Sequence, residues 1–148
     1  MTLEPIVHVL SLRCTPVAAF DTYARIGDWW HPDYTSDATT LMTVFIEPRV
    51  GGRVFERHRD GHVVEWGRVT LWARPKVLAY TTQLAQRPET PSEILVMFEA
   101  TADGCTVRLE HGGWTAANVE QRAKFSDWPL LLRRFAALAD ADSGNRPI

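Results

Sequence analysis

The strongest constraint in this chain is a run of strand-like segments interrupted by glycine. The Gly51-Gly52 pair precedes one such segment, Gly61 follows it, and Gly67 lies inside the next one. A glycine within a strand has no side chain to pack and often marks a bulge, a bend or a close approach to the backbone. A sheet that bends at two glycine sites can curve around a cavity. The pattern therefore predicts a protein that encloses another molecule.

The order of strand and helix patterns predicts an α+β fold with an antiparallel sheet. Segments rich in β-branched and aromatic residues, separated by short turns, predict seven strands. Their ranges are 6–13, 41–47, 52–58, 62–73, 76–84, 92–101 and 104–112. Two short helices are predicted after the first strand, at 16–25 and 28–31, and a third at 116–125.

The end of the chain switches to helical periodicity. From Trp128 onward, apolar residues recur at spacings of three and four, which predicts a long helix packed on the sheet. Its apolar stripe consists of Trp128, Leu131, Leu132, Phe135 and Leu138. We predict a single domain over residues 1–148, with a core over about 6–139 and a tail at 141–148.

Composition narrows the classes of function. The net charge is −2 with scattered Lys and Arg, which disfavours nucleic-acid binding. No apolar run approaches the roughly 20 residues of a membrane span, and the first residues do not resemble a signal peptide. We therefore predict a cytoplasmic protein. Cys14 and Cys105 match no metal-ligand spacing, and no nucleophile or cofactor motif is found, so neither a metal nor a cofactor is expected.

Several short motifs resemble, in order and spacing, the START-like superfamily, to which the birch-pollen allergen belongs. The nearest branch is the one grouped with the C-terminal domain of the heat-shock-chaperone ATPase activator. The resemblance covers roughly residues 6–139. The motifs are Trp29-Trp30-x-Pro32, Glu47 to Arg53, Phe55-Glu56, Asp60-Gly61, Trp66 to Val69, Pro75, Leu109-Glu110-His111 and Asp127-Trp128-Pro129.

The resemblance implies a helix-grip fold. In that fold a seven-stranded antiparallel sheet wraps around the long C-terminal helix and leaves a cavity between them. Members of the superfamily use this cavity for lipids, steroids, polyketides and other apolar molecules. The chain departs from the family pattern after His111, where Gly112-Gly113-Trp114 replaces a frequent arginine. That difference could change one rim of the cavity.

Alternation along the last two strands separates an inner face from an outer one. Ile94, Val96, Phe98, Val107 and Leu109 share one face, and the opposite assignment would bury charges without partners. The same reasoning predicts that Phe55, Val69, Leu71, Leu78 and Tyr80 face the helix. The same alternation would put Trp66 and Trp72 on the outer face, but two exposed tryptophans would be unusual unless they mark a contact surface, so their orientation is not assigned.

The fold also implies that the first strand pairs with the last. We set Leu10 opposite Leu109, which brings His8 opposite His111 on the inner face. The same register places Cys14 opposite Cys105 on the outside. A slip of two residues would preserve the faces.

Eleven residues are candidates for ligand binding. The aromatic and apolar ones line a pocket or, alternatively, fill the core, and the polar ones would orient a ligand or be structural. They are His8, Trp30, Phe55, Glu56, Val69, Tyr80, Phe98, His111, Trp128, Leu132 and Phe135. No catalytic residue is assigned.

Three functions remain open. The first is binding of a small apolar molecule in a cavity between the sheet and the C-terminal helix. The second is an enzyme that uses the same cavity, such as a cyclase, dehydratase or hydrolase. The third is a protein-interaction module that contacts a chaperone or a second copy of the chain through the outer face of the sheet.

Overall fold

The computed structural model describes residues 2–84 and 89–144, which contain a seven-stranded sheet and a long C-terminal helix. The strands are β1 (Ile6–Leu12), β2 (Leu41–Ile46), β3 (Arg53–His58), β4 (Val63–Ala73), β5 (Val77–Thr82), β6 (Ser92–Thr101) and β7 (Gly104–Gly112). The α-helices are α1 (Pro16–Ala24) and α2 (Trp128–Gly144), and 3₁₀ turns cover Ile26–Asp28, Pro32–Tyr34 and Val119–Phe125.

The sheet is antiparallel throughout, in the order β1-β7-β6-β5-β4-β3-β2. The first strand therefore closes onto the last, and every other neighbour is a hairpin. Helix α2 packs its apolar residues against the inner face of this curled sheet. The predicted α+β class and helix-grip fold are confirmed.

Both helices form where the sequence predicts them. Helix α1 begins with Pro16 after Thr15, whose hydroxyl accepts a hydrogen bond from the Ala18 N–H at 3.2 Å. Helix α2 buries Trp128, Leu131, Leu132 and Phe135. It continues to residue 144, so the predicted tail is wrong for 141–144, while 145–148 lie outside the described residues. The predicted helix at 28–31 does not form, and 3₁₀ turns flank this segment at Ile26–Asp28 and Pro32–Tyr34. The predicted helix at 116–125 is a shorter 3₁₀ helix, Val119–Phe125.

The β1–β7 register differs from the predicted one by two residues. Leu10 pairs with Val107, and His8 pairs with Leu109, so His111 faces Ile6 instead of His8. Because a shift of two keeps each side chain on its face, the predicted inner face is correct. The outward placement of the cysteines is wrong, since Cys14 and Cys105 follow the inward parity and are buried as free thiols.

Two bulges in β4 overturn other predicted orientations. Val54 pairs with Gly67 and Phe55 pairs with Glu65, which leaves Trp66 as an extra residue, and a second shift lies between Val69 and Leu71. An extra residue in one strand reverses the alternation beyond it. As a result Leu71 is exposed rather than inward.

The same bulges turn two tryptophans inward. Trp66 is 2% exposed, and Trp72 packs edge-on against Phe20 with ring centroids 5.0 Å apart. The orientation of these two tryptophans, which the sequence leaves open, is therefore inward.

Phe55 lies on the outer face, so its predicted contact with the helix is wrong. Its neighbours Val54 and Glu56 point inward, and alternation turns Phe55 to the other side. There its ring lies 5.7 Å from that of Phe45, and the Arg53 guanidinium covers it at 4.6 Å. This cover explains why an outward phenylalanine is only 3% exposed.

Aromatic rings fill the space between α1, α2 and the middle of the sheet. Tyr23 and Phe135 have ring centroids 5.5 Å apart, Trp29 and Phe135 are also 5.5 Å apart, and Phe20 and Phe98 are 5.3 Å apart. The core is therefore closely packed at this end of the molecule. Within the described ranges, no helix is both long enough and apolar enough to cross a membrane.

Candidate functional site

A cavity of about 420 Å³ opens between the β3–β4 side of the sheet and the start of α2. This volume lies in the range of about 300–1,000 Å³ that is typical of small-molecule sites. Its wall is formed mainly by Trp30, Trp66, Leu84, Phe125, Trp128 and Leu131. The loop after the Pro32–Tyr34 turn lies at its edge and contributes Thr35 and Ser36.

Three tryptophans, Trp30, Trp66 and Trp128, form a large part of the wall. Trp30 lies 5.1 Å from Trp66 and 5.8 Å from Trp128, measured between ring centroids. Each indole N–H is used within the protein. Trp30 donates to the Tyr34 carbonyl at 3.1 Å, Trp66 to Glu56 Oε1 at 2.8 Å, and Trp128 to His111 Nδ1 at 3.1 Å. The rings therefore offer the cavity almost only apolar surface.

Glu56 is a fully buried carboxylate in this wall, surrounded by four hydrogen-bonding groups. Oε1 accepts from the Trp66 indole N–H and from the Ser36 backbone N–H, each at 2.8 Å. Oε2 accepts from the Ser36 hydroxyl at 2.5 Å and lies 2.8 Å from His58 Nε2. The carboxylate thereby fixes the loop at Ser36 to strand β3.

His58 connects this cluster to the next part of the loop. It is fully buried, its Nδ1 lies 2.9 Å from the Thr40 hydroxyl, and its ring stacks on His62 at 4.3 Å. Glu56 and His58 alternate with outward residues on β3, so both point inward. The two side chains together hold the loop from Ser36 to Thr40 in place.

His111 lies behind Trp128 and is also fully buried. Because an indole N–H can only donate, Nδ1 is the acceptor, and Nε2 carries the proton that it donates to the Ser92 hydroxyl at 2.6 Å. Burial, with a smaller contribution from Arg122, lowers the pKa of His111 to about 3. The ring is therefore neutral near pH 7 and positions Trp128.

The Tyr80 hydroxyl is used within the core. It lies 2.7 Å from the Tyr23 hydroxyl, and burial raises the pKa of Tyr80 far above its ordinary value. Tyr80 reaches only a recess of about 10 Å³ behind the tryptophans. That space is close to the lower limit for one water molecule.

The sequence matches the family model described as Activator of Hsp90 ATPase homolog 1-like protein over residues 18–140. The chain belongs to this family. Its START-like helix-grip fold agrees with that membership. No protein of curated function has a significant sequence match to the chain.

Several solved structures share the fold of this chain. Protein MLL2253 from Mesorhizobium loti is 21% identical, with a TM-score of 0.69 over 93% of this chain and 98% of that one. The Aha1 dimer from Colwellia psychrerythraea is 17% identical, with a TM-score of 0.66 over 92% of this chain and 96% of that one. The anthrahydroquino-γ-pyrone synthase Txn09, complexed with SUM, is 26% identical, with a TM-score of 0.58 over 93% and 99%.

Of the predicted ligand-binding residues, three line the main cavity. They are Trp30, Glu56 and Trp128. His111 and Tyr80 lie directly behind this wall. His8 lines a separate cavity of about 280 Å³ beside Arg122 and Ser126.

The other predicted residues lie away from both cavities. Val69, Phe98, Leu132 and Phe135 are buried in the core, where they pack against neighbouring side chains. Phe55 lies on the outer face of the sheet. The positions of Val69, Phe98, Leu132 and Phe135 therefore agree with the alternative that these residues fill the core.

Sequence reasoning missed several residues of the wall. Ser36 comes from a polar loop with no recognisable motif, and its contact with Glu56 spans 20 positions. The inward orientation of Trp66 does not follow from the sequence, because Gly67 indicates a bulge or bend in this strand but not which residue is the extra one. In residues 2–84 and 89–144, no group of three or more His, Cys, Asp and Glu side chains could hold a metal ion.

Proposed function

We propose that the main cavity binds a small, flat and mostly apolar molecule. The observation that carries this proposal is the set of three indole rings whose N–H groups all point into the protein. An aromatic wall favours a ligand with aromatic or fused rings, because aromatic pairs gain about 0.5–1.5 kcal/mol beyond their buried area.

Binding would be driven mainly by removal of apolar surface from water. This contributes about 25 cal/mol per Å² before the costs of ordering the ligand and the loop. The closely packed core at the other end of α2 and the hydrogen bonds of Glu56 hold the cavity wall in position. A wall that is already formed costs less to order on binding, which favours affinity.

An enzyme that uses the same cavity is the second candidate. It is favoured by the 26% identity to Txn09, an anthrahydroquino-γ-pyrone synthase, over 93% of the chain. Contact with a chaperone or a second copy of the chain is a third candidate, supported by the family description and by the Aha1 dimer among the similar structures. A cytoplasmic location and the absence of nucleic-acid binding remain predictions.

A panel of fused-ring compounds with a matched pair of variants tests the binding proposal. Val64 lines the cavity, whereas Val63 on the same strand is 39% exposed and pairs with outward Arg57. Val64→Trp should fill the cavity, while Val63→Trp adds the same ring to the other face. A ligand at 100 times its Kd should stabilise the wild type and Val63→Trp by about 2.7 kcal/mol and leave Val64→Trp unchanged.

The readout is the midpoint of thermal unfolding with and without each compound. Native mass spectrometry of protein purified from its own source would show directly whether a small molecule is bound. The proposal is refuted if no compound raises the midpoint and no bound molecule is found. It is also refuted if Val64→Trp responds to the ligand as strongly as Val63→Trp does.

A further inference from the structure

Ser36 is the exposed end of a buried polar cluster in an otherwise apolar wall. The residue is exposed, and it lines the cavity through the loop that follows the Pro32–Tyr34 turn. Its hydroxyl lies 2.5 Å from Glu56 Oε2, a short distance typical of a hydroxyl that donates to a carboxylate. Ser36 thus connects a fully buried acidic group to the space where a ligand would lie.

The surroundings of Glu56 decide the direction of this hydrogen bond. The indole of Trp66 and the backbone N–H of Ser36 can only donate, and both donate to Oε1. His58 Nε2 and the Ser36 hydroxyl share Oε2, and a carboxylate offers only acceptors. The Ser36 proton is therefore directed at Glu56. Its Oγ lies 3.4 Å from His58 Nε2 and keeps acceptor capacity in a residue that lines the cavity.

Other acidic groups in the cavity wall disfavour a negatively charged ligand. The carboxyl groups of Glu65 and Asp127 also line the cavity, together with the ammonium group of Lys124. Glu65 is paired with Arg68 at 2.9 Å, and Asp127 accepts from the Tyr34 hydroxyl at 2.7 Å. Acidic side chains thus outnumber basic ones in the lining, so a ligand carboxylate entering near Ser36 would meet like charge.

We propose that Ser36, held by Glu56, is a polar subsite that accepts a hydrogen bond from a hydroxyl or amine of the ligand. The inference rests on the proposed function and names the ligand class as a flat apolar molecule with a hydrogen-bond donor at one edge. A ligand without a donor would cover the Ser36 acceptor and leave it unpaired. A buried acceptor without a partner costs more free energy than the hydrogen bond itself contributes. The subsite therefore discriminates mainly by weakening the binding of ligands that lack a donor.

A matched ligand series tests the subsite. The probes are 2-naphthol, which carries a donor, 2-methoxynaphthalene, in which the donor is methylated, and 2-naphthoate, which carries a negative charge. Affinities are measured by ligand-observed NMR titration at pH 7. We expect 2-naphthol to bind roughly tenfold more tightly than 2-methoxynaphthalene, and 2-naphthoate to bind weakest.

Three variants assign the discrimination to Ser36. Ser36→Ala should bring the affinities for 2-naphthol and 2-methoxynaphthalene to within roughly twofold of each other, because the acceptor is gone. Ser36→Thr keeps the hydroxyl and should keep the discrimination. Ser126→Ala removes an exposed hydroxyl beside the smaller cavity and should behave as the wild type. Circular dichroism confirms that each variant is folded.

The possible results separate this inference from the proposed function. If both neutral probes bind the wild type equally, or if 2-naphthoate binds most tightly, the subsite is disproved and the apolar cavity stands. The same holds if folded Ser36→Ala keeps the full discrimination. If Ser36→Ala does not fold, loss of discrimination in folded Ser36→Thr also disproves the subsite. If none of the three probes binds the wild type, the subsite is disproved, and the fused-ring panel with native mass spectrometry decides the proposed function separately.

Discussion

His111 is held by hydrogen bonds at both ring nitrogens, directly behind the cavity wall. Trp128 donates to Nδ1, and Nε2 donates to Ser92. The ring is fully buried, and burial lowers its pKa to about 3. A histidine that stays neutral and has both nitrogens occupied is poorly suited to acid–base chemistry. Its position instead explains how Trp128 keeps its N–H away from the cavity.

The lowered pKa predicts a loss of stability in mild acid. The unfolded chain takes up a proton near the ordinary pKa of 6.5, while folded His111 does not until about pH 3. The unfolded state therefore binds more protons in this window, and the free energy of unfolding falls as the pH falls. Between pH 7 and pH 5 we expect a loss of about 2 kcal/mol, measured by urea denaturation at each pH.

A variant without the histidine at position 111 provides the control. His111→Gln should be less stable than the wild type at pH 7, since it disturbs the bonds to Trp128 and Ser92, but it should lose less on acidification to pH 5. The pH range ends at pH 5 so that Glu47 does not affect the comparison. Hydrogen bonds with Arg53 lower the pKa of Glu47 from its ordinary 4.5 to about 2. The stability that this carboxylate contributes is therefore lost only as the pH falls below 4.5. Equal pH slopes for the two proteins would contradict the assignment.

At the scale of the element, β4 shows where sequence reasoning succeeds and fails. Its limits, Val63 to Ala73, were predicted as 62–73 because strand propensity and flanking turns are local signals. Its facing was predicted correctly at Val69 and wrongly at Leu71, because the bulge between them is defined only by pairing with β5. The orientation of Trp66 likewise depends on the bulge that pairing with β3 defines. By contrast β6 and β7 pair without a shift, so alternation gave their inner face correctly.

In the candidate site, too, local motifs were predicted correctly, whereas long-range contacts were not. Trp30, Glu56 and Trp128 belong to motifs that resemble the family, and all three line the cavity. Ser36 does not belong to such a motif, and its role depends on a loop that crosses to β3. Side chains that are brought together by long-range contacts leave no periodic trace in the sequence. The sequence therefore predicted the fold that encloses the cavity better than the polar contacts in the cavity wall.

Gly67 is required by the close approach of β5 to the first bulge. A Cβ atom at this position would lie 1.8 Å from the Thr81 carbonyl oxygen, which belongs to the backbone and cannot move aside. We expect Gly67→Ala to lower the free energy of unfolding by at least about 2 kcal/mol. For a chain of this size that corresponds to a thermal midpoint lower by roughly 4–8 °C.

Gly112 in β7 is the matched control for this substitution. A Cβ atom there would meet only Pro5 Cβ at 3.4 Å, an ordinary van der Waals contact. Gly112→Ala should therefore change the free energy of unfolding by less than about 1 kcal/mol. Thermal unfolding of both variants, followed by circular dichroism, makes the comparison. Similar midpoints would show that the backbone at Gly67 can relax around a methyl group.

On the scale of the whole molecule, α2 spans two different environments. Trp128 and Leu131, in its first turn, line the cavity, whereas Phe135 and Ala139 lie among the packed rings at the other end. Phe135 is fully buried and lies 5.5 Å from both Tyr23 and Trp29, measured between ring centroids. One helix therefore supports the fold with its later turns and shapes the site with its first.

This division predicts that stability and binding can be separated by substitutions on α2. Phe135→Ala should lower the free energy of unfolding by about 3–5 kcal/mol, and Leu131→Ala by about 2 kcal/mol because its side chain already borders open space. Affinity for a fused-ring ligand should change only in Leu131→Ala, whose larger cavity should favour larger ligands. Urea denaturation and ligand titration at a temperature where both variants are folded measure the two effects. The milder Phe135→Leu replaces Phe135→Ala if the latter does not fold. Equal changes in affinity at positions 131 and 135 would mean that the packed end and the cavity act as one unit.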